Sequence, residues 1–180
     1  MKVTKGKDVL TSTIKVVTDP RAKSTPQDRA LQRQTALKLY GMRERMAYLV
    51  AALTSVRDQA KDRAAKASDV GLKQQLSDLQ KKAEDFRSSL MAVKEGGAIT
   101  GERKLNEYIG ELYGGVNGYE GKPTQQQIDR MNALNVELES TAKKVDAMNA
   151  SDVNTANAAL QKANLQPLTV LTEADWRKQK

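Results

Sequence analysis

Chemistry in this chain has to come from carboxylates, amines, hydroxyls or amides, because the sequence contains no His and no Cys. The missing imidazole removes the commonest general base and metal ligand, and with it every Ser-His-Asp or Cys-His arrangement. The missing thiols remove disulfides and thiolate metal sites. The residues that could still act together crowd into one segment. Eight of the eleven glycines lie between Gly96 and Gly121, in company with Tyr108, Tyr113, Asn117, Tyr119, Glu102, Glu107, Glu111 and Glu120. A glycosidase would need two of those carboxylates opposed across a sugar-sized cleft. Glu107 and Glu111 instead stand one helical turn apart on a single face, which argues against that pairing. A phosphate-cradling loop would need a Gly-x-x-x-x-Gly-Lys-[Ser/Thr] run after a strand, and there is none. The Asp and Glu spacings assemble no specific metal cage, and the sequence points to no cofactor. What remains is recognition. Tyrosine offers a large contact area at low entropic cost, so Tyr108, Tyr113, Asn117 and Tyr119 form a candidate docking surface on a glycine-shaped backbone. The competing expectation is structural, a crossover whose tyrosines pack on the end of a helical bundle.

The elements that must position this segment are mostly helices. Thr25, Pro26 and Asp28 stand at N-cap, N1 and N3 of a first helix that runs to about Lys66. Its apolar seam is Leu39, Met42, Met46, Leu49, Leu53, Val56 and Ala60, spaced alternately three and four. Gly41 within it invites a kink or a close contact. After a turn near Ala67 to Gly71, Leu72, Leu76, Leu79, Ala83, Phe86, Leu90 and Val93 mark a second helix, ended by Glu95-Gly96-Gly97. Leu105, Ile109 and Leu112 suit one short helix, with Gly114-Gly115 and Asn117-Gly118 forcing tight turns of positive φ after it. A third long helix starts from Thr124 and carries Ile128, Met131, Leu134, Leu138, Ala142, Val145 and Met148. A short helix follows from Ser151 or Asp152 to about Lys162, with Val153, Ala156 and Leu160 inward. Past Pro167 come the extended Leu168 to Leu171, a capping box at Thr172 to Asp175, and Trp176 as an anchor. Asn149-Ala150-Ser151 matches a glycosylation sequon, but Ser151 reads better as a helix cap.

Ahead of the helices, residues 3–17 read as two strands, Val3-Thr4 and Val9 to Val17, joined by a turn at Lys5-Gly6-Lys7-Asp8. A lone hairpin is marginal in water; it either packs on the helices or is the torn edge of a β-domain. The predicted architecture is therefore mainly α: an antiparallel three-helix bundle with an N-terminal β-hairpin remnant, a Gly/Tyr-rich crossover and a short C-terminal helix. In domain terms, residues 1–20 are the hairpin and 21–180 the helical domain, with a Gly-rich insertion at 96–123.

Bulk composition agrees. The 180 residues suit one domain, and 4% aromatics beside 39% hydrophobic residues favour helix packed on helix. Net charge is +8, carried by the first half: +4 over residues 1–23 and +5 over 24–95, against −1 over 96–122 and zero over 123–180. That half is the place to look for an anionic polymer such as nucleic acid or acidic glycan. Its cations alternate with acids, and no aromatics interleave to stack bases, which disfavours nucleic acid. The longest apolar run, Met46 to Leu53, is too short to span a bilayer. No signal peptide is legible near Met1, so a signal for an exported parent would lie outside this chain.

Several stretches together carry a resemblance. Val16-Val17-Thr18-Asp19-Pro20-Arg21 leads into the first helix. Leu105-Asn106-Glu107-Tyr108 precedes Tyr113-Gly114-Gly115-Val116-Asn117-Gly118-Tyr119-Glu120-Gly121-Lys122-Pro123-Thr124, and Leu165-Gln166-Pro167-Leu168 leads to Trp176. From about Val9 to Trp176 this resembles the C-terminal helical region of bacterial sortilin-like, BNR (Asp-box) repeat β-propeller proteins, often labelled glycosyl-hydrolase-like. The resemblance implies a propeller, then a β-sandwich whose last strands are residues 3–17, then this helical domain, in an exported or cell-surface parent. It implies the propeller as the protein partner. No Asp-box occurs in the chain, so the hydrolase label does not transfer, and no residue here corresponds to a propeller active site. The expectation is a non-catalytic accessory or interaction module.

Overall fold

A computed structural model describes residues 1–17, 19–93 and 102–179. The chain is mainly helical, with one two-stranded antiparallel hairpin. In order it forms β1 (Lys2–Lys5), β2 (Asp8–Thr11), α1 (Pro26–Lys66), α2 (Val70–Leu90), α3 (Leu105–Asn117), α4 (Gln125–Met148), a π-helical turn (Asn149–Val153), α5 (Asn154–Lys162) and α6 (Glu173–Lys178).

Local capping chemistry sets most helix starts. Thr25 Oγ1 accepts from Asp28 N at 3.1 Å while Thr25 N donates to Asp28 Oδ2 at 3.0 Å, which satisfies two otherwise orphaned donors. Asp69 Oδ1 caps Leu72 N at 2.7 Å. Thr124 and Gln127 repeat the reciprocal box on α4, and Thr172 caps α6 by accepting from Asp175 N.

α1 is the spine. At 41 residues it is about 60 Å long at 1.5 Å per residue, and α2, α3, α4 and α6 all pack on it. Its seven expected seam residues, Leu39 to Ala60, are all buried. α2 turns back along its second half, tied by Arg57 Nη1 to Glu84 Oε2 at 2.8 Å. α3 runs antiparallel along its first half, where Gln32 meets Val116 and Tyr40 meets Tyr113. α4 returns beside α3 and α1, and Lys38 Nζ reaches Asn132 Oδ1 at 3.0 Å.

α4 and α5 join through the π-turn. The buried residues of this stretch step by three or four from Met131 to Met148, then by five to Val153, and again by three and four to Ala156 and Leu160. One wider turn absorbs the extra residue and keeps Met148 and Val153 on the same side.

Beyond α5 an extended segment is laced to the helices by side chains. Arg63 donates to Gln166 O and Oε1, both at 2.8 Å. Asn157 donates to Leu168 O at 3.0 Å and accepts from Leu168 N at 2.6 Å. Gln59 does the same for Thr169, at 2.9 and 2.8 Å. Each amide stands in for a neighbouring strand. α6 then seats Trp176 against Tyr48, with ring centroids 6.1 Å apart, while Arg45 Nη1 pairs Glu173 at 2.8 Å. Trp176 does anchor the terminus.

Several expectations change. The second strand stops at Thr11, because residues 12–17 find no partner strand. The hairpin does not pack on the helices: every residue of 1–17 is exposed. α1 passes through Gly41 unbroken, and a Cβ there would meet nothing within 4 Å, so no close approach requires that glycine. α2 ends at Leu90, which leaves Val93 exposed; the expected Gly96-Gly97 stop lies outside the described residues. Gly114-Gly115 and Asn117-Gly118 force no turn: α3 runs on to Asn117, Gly118 keeps φ −83°, and among the described residues the glycine with positive φ is Gly6. The described part of the crossover is thus built on a thirteen-residue helix. Ser151 caps nothing; it lies inside the π-turn and its carbonyl accepts from Thr155 Oγ1.

The amide lacing predicts a separable tail. Asn157→Ala would strand both the N–H and the C=O of buried Leu168, at a cost of about 2 kcal/mol. Trp176, the only tryptophan, should then redden in emission at lower urea than the loss of helical circular dichroism. Coincident transitions would show that the tail has no independent seat.

Candidate functional site

The tyrosine segment becomes a groove only where α3 meets α1. Tyr113, on the inner edge of α3, packs its ring on Tyr40 of α1, with centroids 6.5 Å apart and planes tilted 51°. The Arg43 guanidinium sits over the same ring, 5.3 Å from its centroid. The Tyr40 hydroxyl donates to Glu44 Oε1 at 3.3 Å, and Glu44 is in turn paired with Arg177. At the C-terminal end of α3, Gln32 Nε2 donates to Val116 O at 2.9 Å and also to Tyr119 O. These bonds dock the helix end and the following turn on α1. The resulting cavity has a volume near 410 Å³ and is lined by Gln32, Arg33, Ala36, Leu37, Tyr40, Tyr113 and Asn117. Leu37 is 59% exposed and Tyr40 51% exposed, so the floor is apolar and open.

Of the four residues expected to form a docking surface, the structure brings two together. Tyr113 and Asn117 line the groove. Tyr108 lies elsewhere on α3, its ring beneath Arg130 of α4 at 5.0 Å. Tyr119 is 69% exposed, and its ring lies directly on Gly121. Sequence reasoning missed the α1 half of the groove. The available signal was that Leu37 and Tyr40 are large and apolar yet fall outside the heptad seam.

The carboxylates of this region are structural partners. Glu107 Oε2 accepts from Lys104 N at 3.0 Å and from Ala92 N at 3.2 Å, and Asn106 Nδ2 donates to Oε1 at 2.9 Å. It therefore ties the chain after α2 to the first turn of α3. Burial pushes its carboxyl up, but the hydrogen bonds from Asn106, Lys104 and Ala92 outweigh burial and hold it below the usual 4.5. A glycosidase general acid needs the opposite shift. Glu111 is paired with Arg103 at 3.2 Å, and Glu102 lies 3.7 Å from Lys104. Among the described residues no group of three or more Asp or Glu is placed to hold a metal ion, and no helix is long and apolar enough to cross a membrane.

The basic half is not uniformly basic in space. Along the second half of α1 and on α2, Arg57, Arg63, Lys66, Lys81, Lys82 and Arg87 are each paired with a carboxylate. Arg29, Arg33, Lys38, Arg43, Lys61 and Lys73 enter no ion pair among the described residues.

No family model matches the chain, and searches of curated proteins and of solved structures likewise return no match.

Two outcomes separate packing from exposure here. Tyr113→Ala removes a half-buried ring and should lower stability by about 2 kcal/mol, below the 3–5 of a fully buried aromatic. Tyr119→Ala should stay within about 0.5 kcal/mol, both read by urea denaturation. The Glu107 carboxyl titrates lower folded than unfolded, so its contribution is present above pH 4.5 and drains away as pH falls through its folded value. The melting-temperature deficit of Glu107→Ala should therefore be largest near neutrality and shrink in acid. A deficit independent of pH would assign Glu107 no electrostatic share.

Proposed function

We propose that this chain is a non-catalytic helical module whose work is to pack against a β-rich protein domain, as the resemblance to the C-terminal region of sortilin-like β-propeller proteins implies. In this reading the helices form an antiparallel three-armed bundle: α1 is one arm, α2 continued by α3 the second, and α4 continued by α5 the third. The parent is an exported or cell-surface protein, and the propeller is the partner.

The observation that carries the reading is the exposed N-terminal hairpin. Val3, Val9, Leu10, Ile14, Val16 and Val17 are between 48% and 92% exposed. The β-branched run of Val9, Thr11, Thr13, Ile14, Val16 and Val17 is strand-forming in composition yet meets no sheet beyond β1. An isolated hairpin of this length gains too little from its own ladder to hold in water. A covering β-sheet supplies both the missing ladder and the apolar face. The groove between α1 and α3 is the second exposed apolar surface. The site chemistry is consistent with this: Glu107 ties backbone N–H groups and Glu111 and Glu102 face cations, and the chain contains no histidine or cysteine.

Photo-cross-linking tests it. A photoreactive residue placed at Leu10 or at Leu37, in cells that make the protein, should cross-link to a β-propeller or β-sandwich, in the same polypeptide or another. The same residue at exposed Ala65 is the control. Labelling at Leu10 no greater than at Ala65 would overturn the reading.

A further inference from the structure

The groove between α1 and α3 has polar features that plain domain packing does not call for. Arg33 lines it, and Arg43 stands over the Tyr113 ring that forms its wall. Neither has a carboxylate partner among the described residues, whereas Arg45, two positions along the same helix, is paired with Glu173 at 2.8 Å. These two guanidinium groups are ten residues apart on α1, about 15 Å along its axis at 1.5 Å per residue. Between them lie the apolar Ala36, Leu37, Tyr40 and Tyr113. At the α3 end, the exposed Asn117 amide offers both a donor and an acceptor. The Gln32 amide donates inward to Val116 and Tyr119, which leaves its oxygen as an acceptor.

We infer that this groove binds an extended acidic peptide segment of a partner protein: an apolar side chain flanked by two carboxylates. The spacing follows from geometry. An extended chain advances about 3.3 Å per residue, so 15 Å corresponds to acids four or five positions apart. The apolar side chain enters over Leu37 and against Tyr113. The flanking carboxylates reach Arg33 and Arg43, where guanidinium groups favour carboxylate oxygens. Asn117 pairs with a peptide unit of the segment, as Asn157 and Gln59 do with Leu168 and Thr169 in this same fold. Charge complementarity selects the occupant: a basic or neutral segment would leave both guanidinium groups uncompensated. The inference rests on the docking reading above and adds to it the chemistry of the bound segment.

The test uses the full chain and an array of nine-residue peptides with Glu or Asp four or five positions apart and Leu, Phe or Tyr between them. Matched peptides carry Gln or Asn in place of the acids. Acidic peptides should be retained at least tenfold better than their amide counterparts. Fluorescence polarisation on the best peptide should show losses of tenfold or more for Arg33→Gln, for Arg43→Gln and for Leu37→Ala. All three positions are exposed, so the melting temperature should stay put. The Lys81→Gln variant, in an ion pair on α2, should bind as the unaltered chain does. Equal retention of acidic and amide peptides, or no retention at all, overturns the inference. So does competition by inorganic phosphate or a single-stranded oligonucleotide as effective as that by free acidic peptide, which would make the site a general anion site. A Leu37 cross-link that persists in the cell while the array stays blank leaves the docking reading standing and removes the acidic peptide.

Discussion

The apolar seam of α1 is the constraint on which the rest of the structure depends. A helix of 41 residues has no stability of its own to spare in water; its amphipathic face must be covered. Here the cover comes from different elements along its length. α3 and α4 lie along the first half, α2 along the second, and α6 with the extended tail across the middle and far end. Removing any one would expose a stretch of leucine and methionine, so the elements stabilise one another through α1 as well as directly, where α3 meets α4 and α2 meets α5. The buried apolar residues accordingly form a single cluster from Leu39 to Leu168.

Polar side chains then fix what hydrophobic burial leaves loose. Burial is non-directional; it holds a tail against a bundle without choosing its register. Asn157, Gln59 and Arg63 choose it by bonding successive peptide units at Leu168, Thr169 and Gln166. Glu107 plays the same part before α3, at Ala92 and Lys104, and Gln32 after it, at Tyr119. In each case a helix-borne group satisfies backbone that has no helix or sheet of its own. A buried N–H or C=O left unmet would cost about 1–3 kcal/mol, comparable to the burial of one leucine. These few amides and carboxylates therefore rank with the core residues in deciding how the loops run.

What was legible in the sequence was local. Thr25-Pro26-Gln27-Asp28 sets the start of α1 within four residues, and the seam from Leu39 to Ala60 is a matter of spacing alone. The end of α3 was not legible. Two glycines cost roughly 1 kcal/mol each in a helix interior, which by itself favours a turn at Gly114-Gly115. The structure adds the burial of Val116, 3% exposed, worth about 1.5–3 kcal/mol, and the Gln32 bond to its carbonyl. Tertiary docking outweighs propensity there. The five-residue step from Met148 to Val153 was in the sequence throughout, but its meaning depends on knowing that the helix continues. The groove was half visible: Tyr113 and Asn117 stand in a segment of unusual composition, while Gln32, Arg33, Leu37 and Tyr40 come from about eighty residues earlier in an ordinary-looking helix.

The distribution of paired and unpaired charge carries information that net charge hides. Exposed ion pairs contribute little to stability individually, so their pattern matters more for association than for folding. On α2 and the distal part of α1 six of the cations are neutralised close at hand, while Lys61 and Lys73 are not. At the proximal end Arg33 and Arg43 are not, and residues 1–17 add Lys2, Lys5, Lys7 and Lys15, whose side chains enter no ion pair among the described residues. The hairpin and the α1–α3 groove thus each combine exposed apolar side chains with cations that enter no ion pair among the described residues. Apolar area supplies affinity without orientation, and uncompensated charge supplies orientation and encounter rate without much affinity. With both in the N-terminal part of the chain, the acidic segment we infer for the groove would be drawn there, at a rate that salt should reduce.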